Sequence, residues 1–317
     1  MNDFNIDKIS LTGLFNSKSI EWNLNKINVL VGKNGTGKST LINIISGILN
    51  GTPNEYTNRC KDCTINFHGH KAISIENKEN KSISLEELKI ILDDVMKSKK
   101  GKFNKNELKK IISHLDNEEN TEKVEFNTST FAHANTTRDE LKENVNIEFI
   151  STINMNSNSI NEFKSSSGIK TTILDFEIQS EINRFVNKIP FKDNKEKLIQ
   201  LLNNFYKESE KTVEFIDGKF IFNCENFRNI GFRDLSSGER QLFYILLRAA
   251  NSSGKFTLFL MDEPEISLHL SWQEELINSI LELNSDCQII IVTHSPAIVM
   301  KGWMNSYIDM QEILKNE

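Results

Sequence analysis

Gly32-Lys33-Asn34-Gly35-Thr36-Gly37-Lys38-Ser39 is the stretch on which the reading of this chain turns. It follows a largely apolar run, Ile27 to Val31. It precedes Thr40 to Leu49, where Leu41, Ile44, Ile45, Ile48 and Leu49 recur at helical spacing. Strand, glycine-rich loop and helix in that order are the context that the pattern G-x-x-x-x-G-K-[ST] requires of a phosphate loop. The glycines let successive backbone N–H groups face phosphate oxygens, and the helix N-terminus adds a favourable dipole. A glycine turn capping an ordinary helix is the bland reading, and the coincidence of motif, strand and helix argues against it. Gly32, Asn34, Gly35, Thr36, Gly37, Lys38, Ser39 and Thr40 are therefore expected to hold a nucleotide. Lys38 would bridge the β- and γ-phosphates and Ser39 would hold Mg²⁺.

Outward from this loop, Leu258-Phe259-Leu260-Met261-Asp262-Glu263 is an apolar strand that ends in two carboxylates, the acidic partner such a loop needs. Asp262 is expected to orient Mg²⁺ through water. Glu263 is placed to accept a proton from the water that attacks the γ-phosphate. The alternative, strand-end charges meeting solvent, loses its weight beside the phosphate loop. Leu235-Ser236-Ser237-Gly238-Glu239-Arg240-Gln241 opens an amphipathic helix with Leu242, Ile245, Leu246 and Ala249 on one face. Ser236 with Glu239 reads as a capping box. A serine hydroxyl and free N–H groups at a helix start also make an anion site, and the two readings are compatible.

Coarse patterning places short strands over 4–31, a hairpin over 64–76 and a strand over 145–153. Helical patterns run near 85–97, 105–116, 171–188 and 193–209, and buried strands alternate with helices from 238 to 293, which implies a parallel sheet. The expected fold is α/β: a mixed sheet of antiparallel N-terminal strands plus a parallel core, with an inserted helical lobe. The expected division is a core of 1–75 and 211–317, a helical hairpin at 76–144 and a helical lobe at 145–210.

The length of 317 residues corresponds to about two domains at roughly 150 residues each. Hydrophobic residues at 38% and charged residues at 26% describe a folded chain and exclude disorder throughout. A net charge of -6 argues against a globally basic nucleic-acid coat. The run Lys97 to Lys102 still leaves contact with nucleic acid or a partner open beside its reading as a solvated helix connection. No apolar run approaches the roughly eighteen residues of a membrane span, and the start of the chain has no secretory pattern, so the expected compartment is the cytoplasm. Four cysteines in a chain this long make no disulfide framework. Cys60-x-x-Cys63 followed by His68-x-His70 has the atoms of a tetrahedral Zn²⁺ site. A plain hairpin is the competing reading, favoured by the dense ligand spacing.

Together these segments resemble the ATP-binding cassette ATPase family. In that family the Leu-Ser-Gly-Gly-Gln signature of one subunit covers the γ-phosphate held by another. Leu235 to Glu239 matches it with Ser237 for the first glycine and Glu239 for the glutamine. The resemblance thus assigns Ser236, Ser237, Gly238 and Glu239 to a site completed in trans, and His294, after Ile289 to Thr293, to the switch histidine. Where transporter-type members read Pro-Thr-Ser-Ala-Leu-Asp, this chain reads Pro264-Glu265-Ile266-Ser267-Leu268-His269, similar to the RecF, Rad50 and overcoming-lysogenization-defect branch. Glu148 to Thr152, the stretch Leu174 to Ile189 and Thr293 to Ile298 resemble ATPases of bacterial anti-phage modules of the PARIS and Septu types. For the family's Q-loop position only Thr152 or Asn154 offers itself, and for the adenine contact Phe15, Asn16 and Trp22 are nearest.

The resemblance implies an ATPase using ATP and Mg²⁺ that forms an ATP-dependent homodimer, or a higher oligomer, and switches a separate effector such as a nuclease or toxin. The rival classes are a DNA-repair ATPase, a transporter motor subunit and a non-hydrolysing scaffold. ATP-dependent DNA binding, co-purification with membranes and turnover indifferent to Glu263→Gln would respectively mark them.

Overall fold

The computed structural model of the chain describes residues 2–83, 124–151, 163–164, 170–187, 192–224 and 227–316. Contacts divide it into one unit of residues 1–74 and 131–317 and another of residues 75–130.

In the first unit β1 (Ile6–Leu14) and β2 (Lys18–Asn23) form an antiparallel hairpin with Leu11 opposite Ile20. β3 (Ile27–Val31) is buried along its whole length and leads through the glycine loop into α1 (Lys38–Asn50), which stops at Gly51 in the left-handed conformation. A 3-10 turn at Thr57–Arg59 precedes β4 (Asp62–Phe67), which pairs antiparallel with β1. Alternation along β4 turns Cys63, Ile65 and Phe67 inward, as the two-residue repeat of a half-buried strand requires.

β5 (Ala72–Ile83) and β6 (Val124–Ala134) are hydrogen-bonded neighbours that carry the chain into and out of the second unit. Within that unit Ser129 Oγ donates to Asn77 Oδ1 at 2.6 Å. The expected hairpin at 76–144 is therefore extended strand at 76–83 and 124–134. Its helical patterns near 85–97 and 105–116 lie outside the described residues.

Back in the first unit come α2 (Arg138–Asn144), capped by Thr137, β7 (Val145–Ser151), and the short antiparallel pair β8 (Phe163–Lys164) and β9 (Lys170–Thr171). Next are α3 (Ile173–Asn187) and α4 (Lys192–Tyr206), then a meander of β10 (Lys211–Ile216), β11 (Lys219–Cys224) and β12 (Phe227–Ile230). α5 (Ser237–Ser252), β13 (Phe256–Asp262), α6 (Leu270–Leu283) and β14 (Cys287–Val292) supply the expected alternation. β15 (Tyr307–Asp309), α7 (Met310–Ile313) and β16 (Leu314–Asn316) follow.

The mixed α/β architecture expected from the pattern is present. Five strands in the order β15-β3-β14-β13-β7 form a sheet whose pairs are all parallel. Its central strands β3, β13 and β14 are buried at every position, so both faces are covered and the strands read as near-continuous apolar runs. β16-β2-β1-β4, paired antiparallel, are consecutive strands of a second, six-stranded sheet.

The stretch 145–210 is not a lobe apart. β7 pairs with β13, and Leu174, Ile178 and Ile182 of α3 and Leu198, Leu202 and Tyr206 of α4 enter the same core as Phe243 and Leu246 of α5. Burying those apolar faces against α5 and the meander, where Phe185 stacks edge-on to Phe215 and Phe220 to Phe243, ties the helices to the parallel sheet. The meander itself has no counterpart in the sequence expectation.

Candidate functional site

Because β3, β13 and β14 are parallel, their carboxyl ends open on one edge. That edge gathers the glycine loop after β3, Asp262 and Glu263 at the end of β13, and Thr293 and His294 after β14. Ser39 Oγ donates to Asp262 Oδ1 at 2.9 Å across 223 residues of sequence. Lys38 Nζ donates to the carbonyls of Gly32 at 2.9 Å and Lys33 at 3.0 Å. Nε2 of His294 lies 3.5 Å from Oε1 of Glu263. A cavity of about 540 Å³ joins these groups, with Asn34, Gly35 and Lys38 to Thr40 on one side and Glu263 and His294 on another.

The loop geometry follows from its residues. Gly37, at the N-cap of α1, has φ 98, a left-handed value open to glycine, and a Cβ there would come within 2.9 Å of the Phe15 ring. No side chain caps α1 and no acidic residue stands in its first turn, so the helix presents bare N–H donors to the cavity. Burial pushes the Lys38 ammonium below its ordinary range, partly offset by the carboxylates of Glu263, Asp262 and Asp309. Burial likewise pushes Asp262 up, against the hydrogen bond from Ser39 and the charge of Lys38, while Glu263 adds to the rise.

Glu263 sits at φ 52, a left-handed value uncommon for a side-chain-bearing residue, and its N–H bonds to the Val292 carbonyl at 2.7 Å. Two residues on, Glu265 is only 7% exposed. Its Oε1 accepts from Thr293 Oγ1 and from the His294 N–H at 3.1 Å, and burial raises its carboxyl above the ordinary range.

The start of α5 shows which signature residues are free. Ser236 Oγ accepts the Glu239 N–H at 3.3 Å, and Glu239 accepts the Ser236 N–H at 2.8 Å, the reciprocal capping box read from the sequence. Glu239 also takes Lys211 Nζ at 2.7 and 2.9 Å and Ser209 Oγ at 2.8 Å, and is 2% exposed. Burial alone would raise its carboxyl, yet Lys211, the Ser236 N–H and Ser209 together hold it below the usual range. Glu239 is thus turned into its own chain, which corrects its grouping with the residues offered to another subunit. Ser236 is exposed and Ser237 partly so. Gly238 is buried so close to the Ser267 carbonyl that a Cβ would lie 2.3 Å from it, and Gln241 Nε2 donates to the Pro264 carbonyl. The helix start is therefore pressed against the segment that leaves Glu263.

Other sequence candidates separate. Phe15 lines the cavity, Trp22 is buried on β2, Asn16 sits in the β1–β2 turn, and Thr152 and Asn154 lie outside the described residues. The zinc reading is corrected: Cys63 points into the core, and His68 and His70 occupy an exposed 3-10 turn, not a strand. His68 Nδ1 faces Asp7 at 3.2 Å. Among the described residues no group of three or more His, Cys, Asp or Glu side chains could hold a metal ion. Ser39 and Asp262, by contrast, offer adjacent hard oxygen donors of the kind Mg²⁺ takes together with phosphate, so the donor set fits that ion.

Three groups escaped the sequence reading. Arg59 lines the cavity with its guanidinium over the Tyr56 ring at 4.8 Å; Asp309 acts on Lys38 from the end of β15; Glu265 holds the His294 turn. Arg59 and Asp309 lie in stretches without motif or period. Glu265 carried one signal, a carboxylate where transporter-type members have Thr.

The family model described as "AAA domain, putative AbiEii toxin, Type IV TA system" matches residues 27–300. No curated protein matches the chain. Among solved structures, an SMC head bound to the C-winged helix domain of ScpA aligns at 13% identity over 96% of this chain and 93% of that one, TM-score 0.49. The SMC head domain from Thermotoga maritima aligns at 13% identity over 94% and 92%, TM-score 0.43. An Smc head from Pyrococcus furiosus, with an extended coiled coil and bound to the C-terminal domain of ScpA, aligns at 12% identity over 98% and 95%, TM-score 0.48.

Proposed function

The chain belongs to the AAA-domain family whose description reads putative AbiEii toxin, type IV TA system, and from that membership we propose that it is an ATP hydrolase that works as a nucleotide-dependent switch. The observation that carries the reading is the convergence of Ser39 on Asp262 at 2.9 Å beside Lys38, Glu263 and His294 on one cavity.

The uncapped N-terminus of α1 and the loop N–H groups would hold the triphosphate, and Lys38 would neutralise its β- and γ-oxygens. Ser39 and Asp262 would hold Mg²⁺, which supplies further charge neutralisation at those oxygens. Glu263 would take the proton of the attacking water, and His294 would contact the γ-phosphate from beside Glu263. Products are ADP and phosphate, released slowly or under a partner's control.

Two copies would close head to head, each site completed by Ser236 and Ser237 of the other copy, whose exposure leaves them available. Contacts to the γ-phosphate that ADP cannot make would favour the closed pair, and hydrolysis would reopen it. The output would be capture or release of a separate effector, a nuclease or toxin, in bacterial anti-phage defence. The family description names a type IV TA system, and that wording supports an arrangement with a second component.

Light scattering on Glu263→Gln tests this, since blocking hydrolysis traps the closed pair. Mass should double on adding Mg-ATP. An unchanged monomer would break the dimer reading, and a large mass before ATP is added would break the switch reading.

A further inference from the structure

Glu265 is 7% exposed and belongs to the segment that leaves Glu263, yet its carboxylate serves the neighbouring strand end. Oε1 accepts both the Thr293 hydroxyl and the His294 N–H, the latter at 3.1 Å, while Oε2 is buried with no hydrogen-bond partner. Thr293 Oγ1 in turn accepts the Ser295 N–H at 2.8 Å, so one carboxylate oxygen organises the whole turn that bears His294. On the other side, the Glu263 N–H donates to the Val292 carbonyl at 2.7 Å and the Leu268 N–H to the main-chain carbonyl of Glu265 at 2.9 Å. Burying a carboxylate with one oxygen unpartnered is costly, and a Gln or Thr at this position would avoid the charge. Such a cost persists where the group fixes a geometry that function needs.

We propose that Glu265 is a positioning residue that clamps the Thr293-His294 turn to the Glu263 segment and thereby sets the 3.5 Å approach of His294 to Glu263. The proposal deepens the ATPase reading and rests on it for its catalytic consequence. Glu265 touches no reacting atom; it acts through His294. Removing the clamp lets the histidine turn relax, and displacements of about 1 Å at a catalytic group cost up to about 100-fold in rate.

The test has one arm that needs no turnover. Exchange of the His294 amide proton, which Glu265 holds, should be about tenfold faster or more in Glu265→Ala and close to wild type in Glu265→Gln, whose carbonyl oxygen can accept the same two bonds. Unchanged exchange in Glu265→Ala overturns the proposal, whatever the enzyme does. The second arm is kinetic. Glu265→Ala should lower kcat about 10- to 100-fold with KM within about twofold, Glu265→Gln should restore kcat to within about threefold, and Glu265→Ala should add nothing in a His294→Ala background. Equal losses in the two backgrounds overturn it. Glu265→Ser, whose short side chain cannot reach the His294 N–H, provides the same readouts should Glu265→Ala fail to fold. Absence of wild-type turnover would break the ATPase reading alone, and the exchange arm would still decide whether Glu265 holds the turn.

Discussion

α1 starts on Gly37 with no side-chain cap and no acidic residue in its first turn, whereas α5 starts on Ser236 with a closed capping box and Glu239 in its first turn. Both helices follow loops singled out as phosphate contacts, and both carry the same dipole. At α1 no side chain takes the first N–H groups, and Lys38 stands in the first turn. At α5 the Glu239 N–H is taken by Ser236, and a buried carboxylate sits where an anion would. A shared motif role therefore does not mean a shared electrostatic role. One end leaves its N–H donors uncapped, and the other is satisfied within the chain and leaves the Ser236 side chain exposed.

The sharpest way to break this contrast is Lys38→Ala. Losing a charge-assisted contact at the uncapped end should weaken ATP binding about 100-fold or more, roughly 3 kcal/mol, in a titration with labelled nucleotide. If affinity survives, the phosphate site is not at α1. Next in size is Gly238→Ala, where the new Cβ meets the Ser267 carbonyl at 2.3 Å. Forcing the α5 start off that backbone should cost about 1–3 kcal/mol in urea unfolding. A neutral result would mean that the 264–268 segment and α5 are not pressed together.

The smallest effect is a pH dependence that sharpens the contrast. Glu239 is held below its unfolded value, so its stabilisation is present above about pH 4.3 and lost as pH falls through the lower folded value. Wild-type melting temperature should fall through that acid window more steeply than that of Glu239→Gln. Parallel curves would show that the capping box does without the charge.

The glycine loop, the strand ending in Asp262 and Glu263, and the capping box were legible because each is a local pattern whose mechanism needs fixed spacing. The parallel core was legible for a related reason: strands buried on both faces are apolar throughout. The meander 211–230 was not, since its buried positions, Val213, Phe220 and Phe222, are few and serve a core defined by α4 and α5. Arg59 and Asp309 reach the cavity through tertiary placement, which no periodicity encodes. The zinc reading failed for the opposite reason: correct spacing on one strand and turn put the thiols inside and the imidazoles outside. Glu239 shows a third case, in which two local readings held together in the sequence and burial decided between them.

β3 has a further consequence during synthesis. Its hydrogen-bonded neighbours in the parallel sheet, β14 and β15, lie at Cys287–Val292 and Tyr307–Asp309, so Ile27–Val31 emerges from the ribosome with no partner on either side. At about 5–20 residues per second, it waits on the order of tens of seconds as an apolar strand with both edges open. Such a segment is a template for wrong pairing, and the nascent chain is expected to depend on a holding chaperone until β14 arrives.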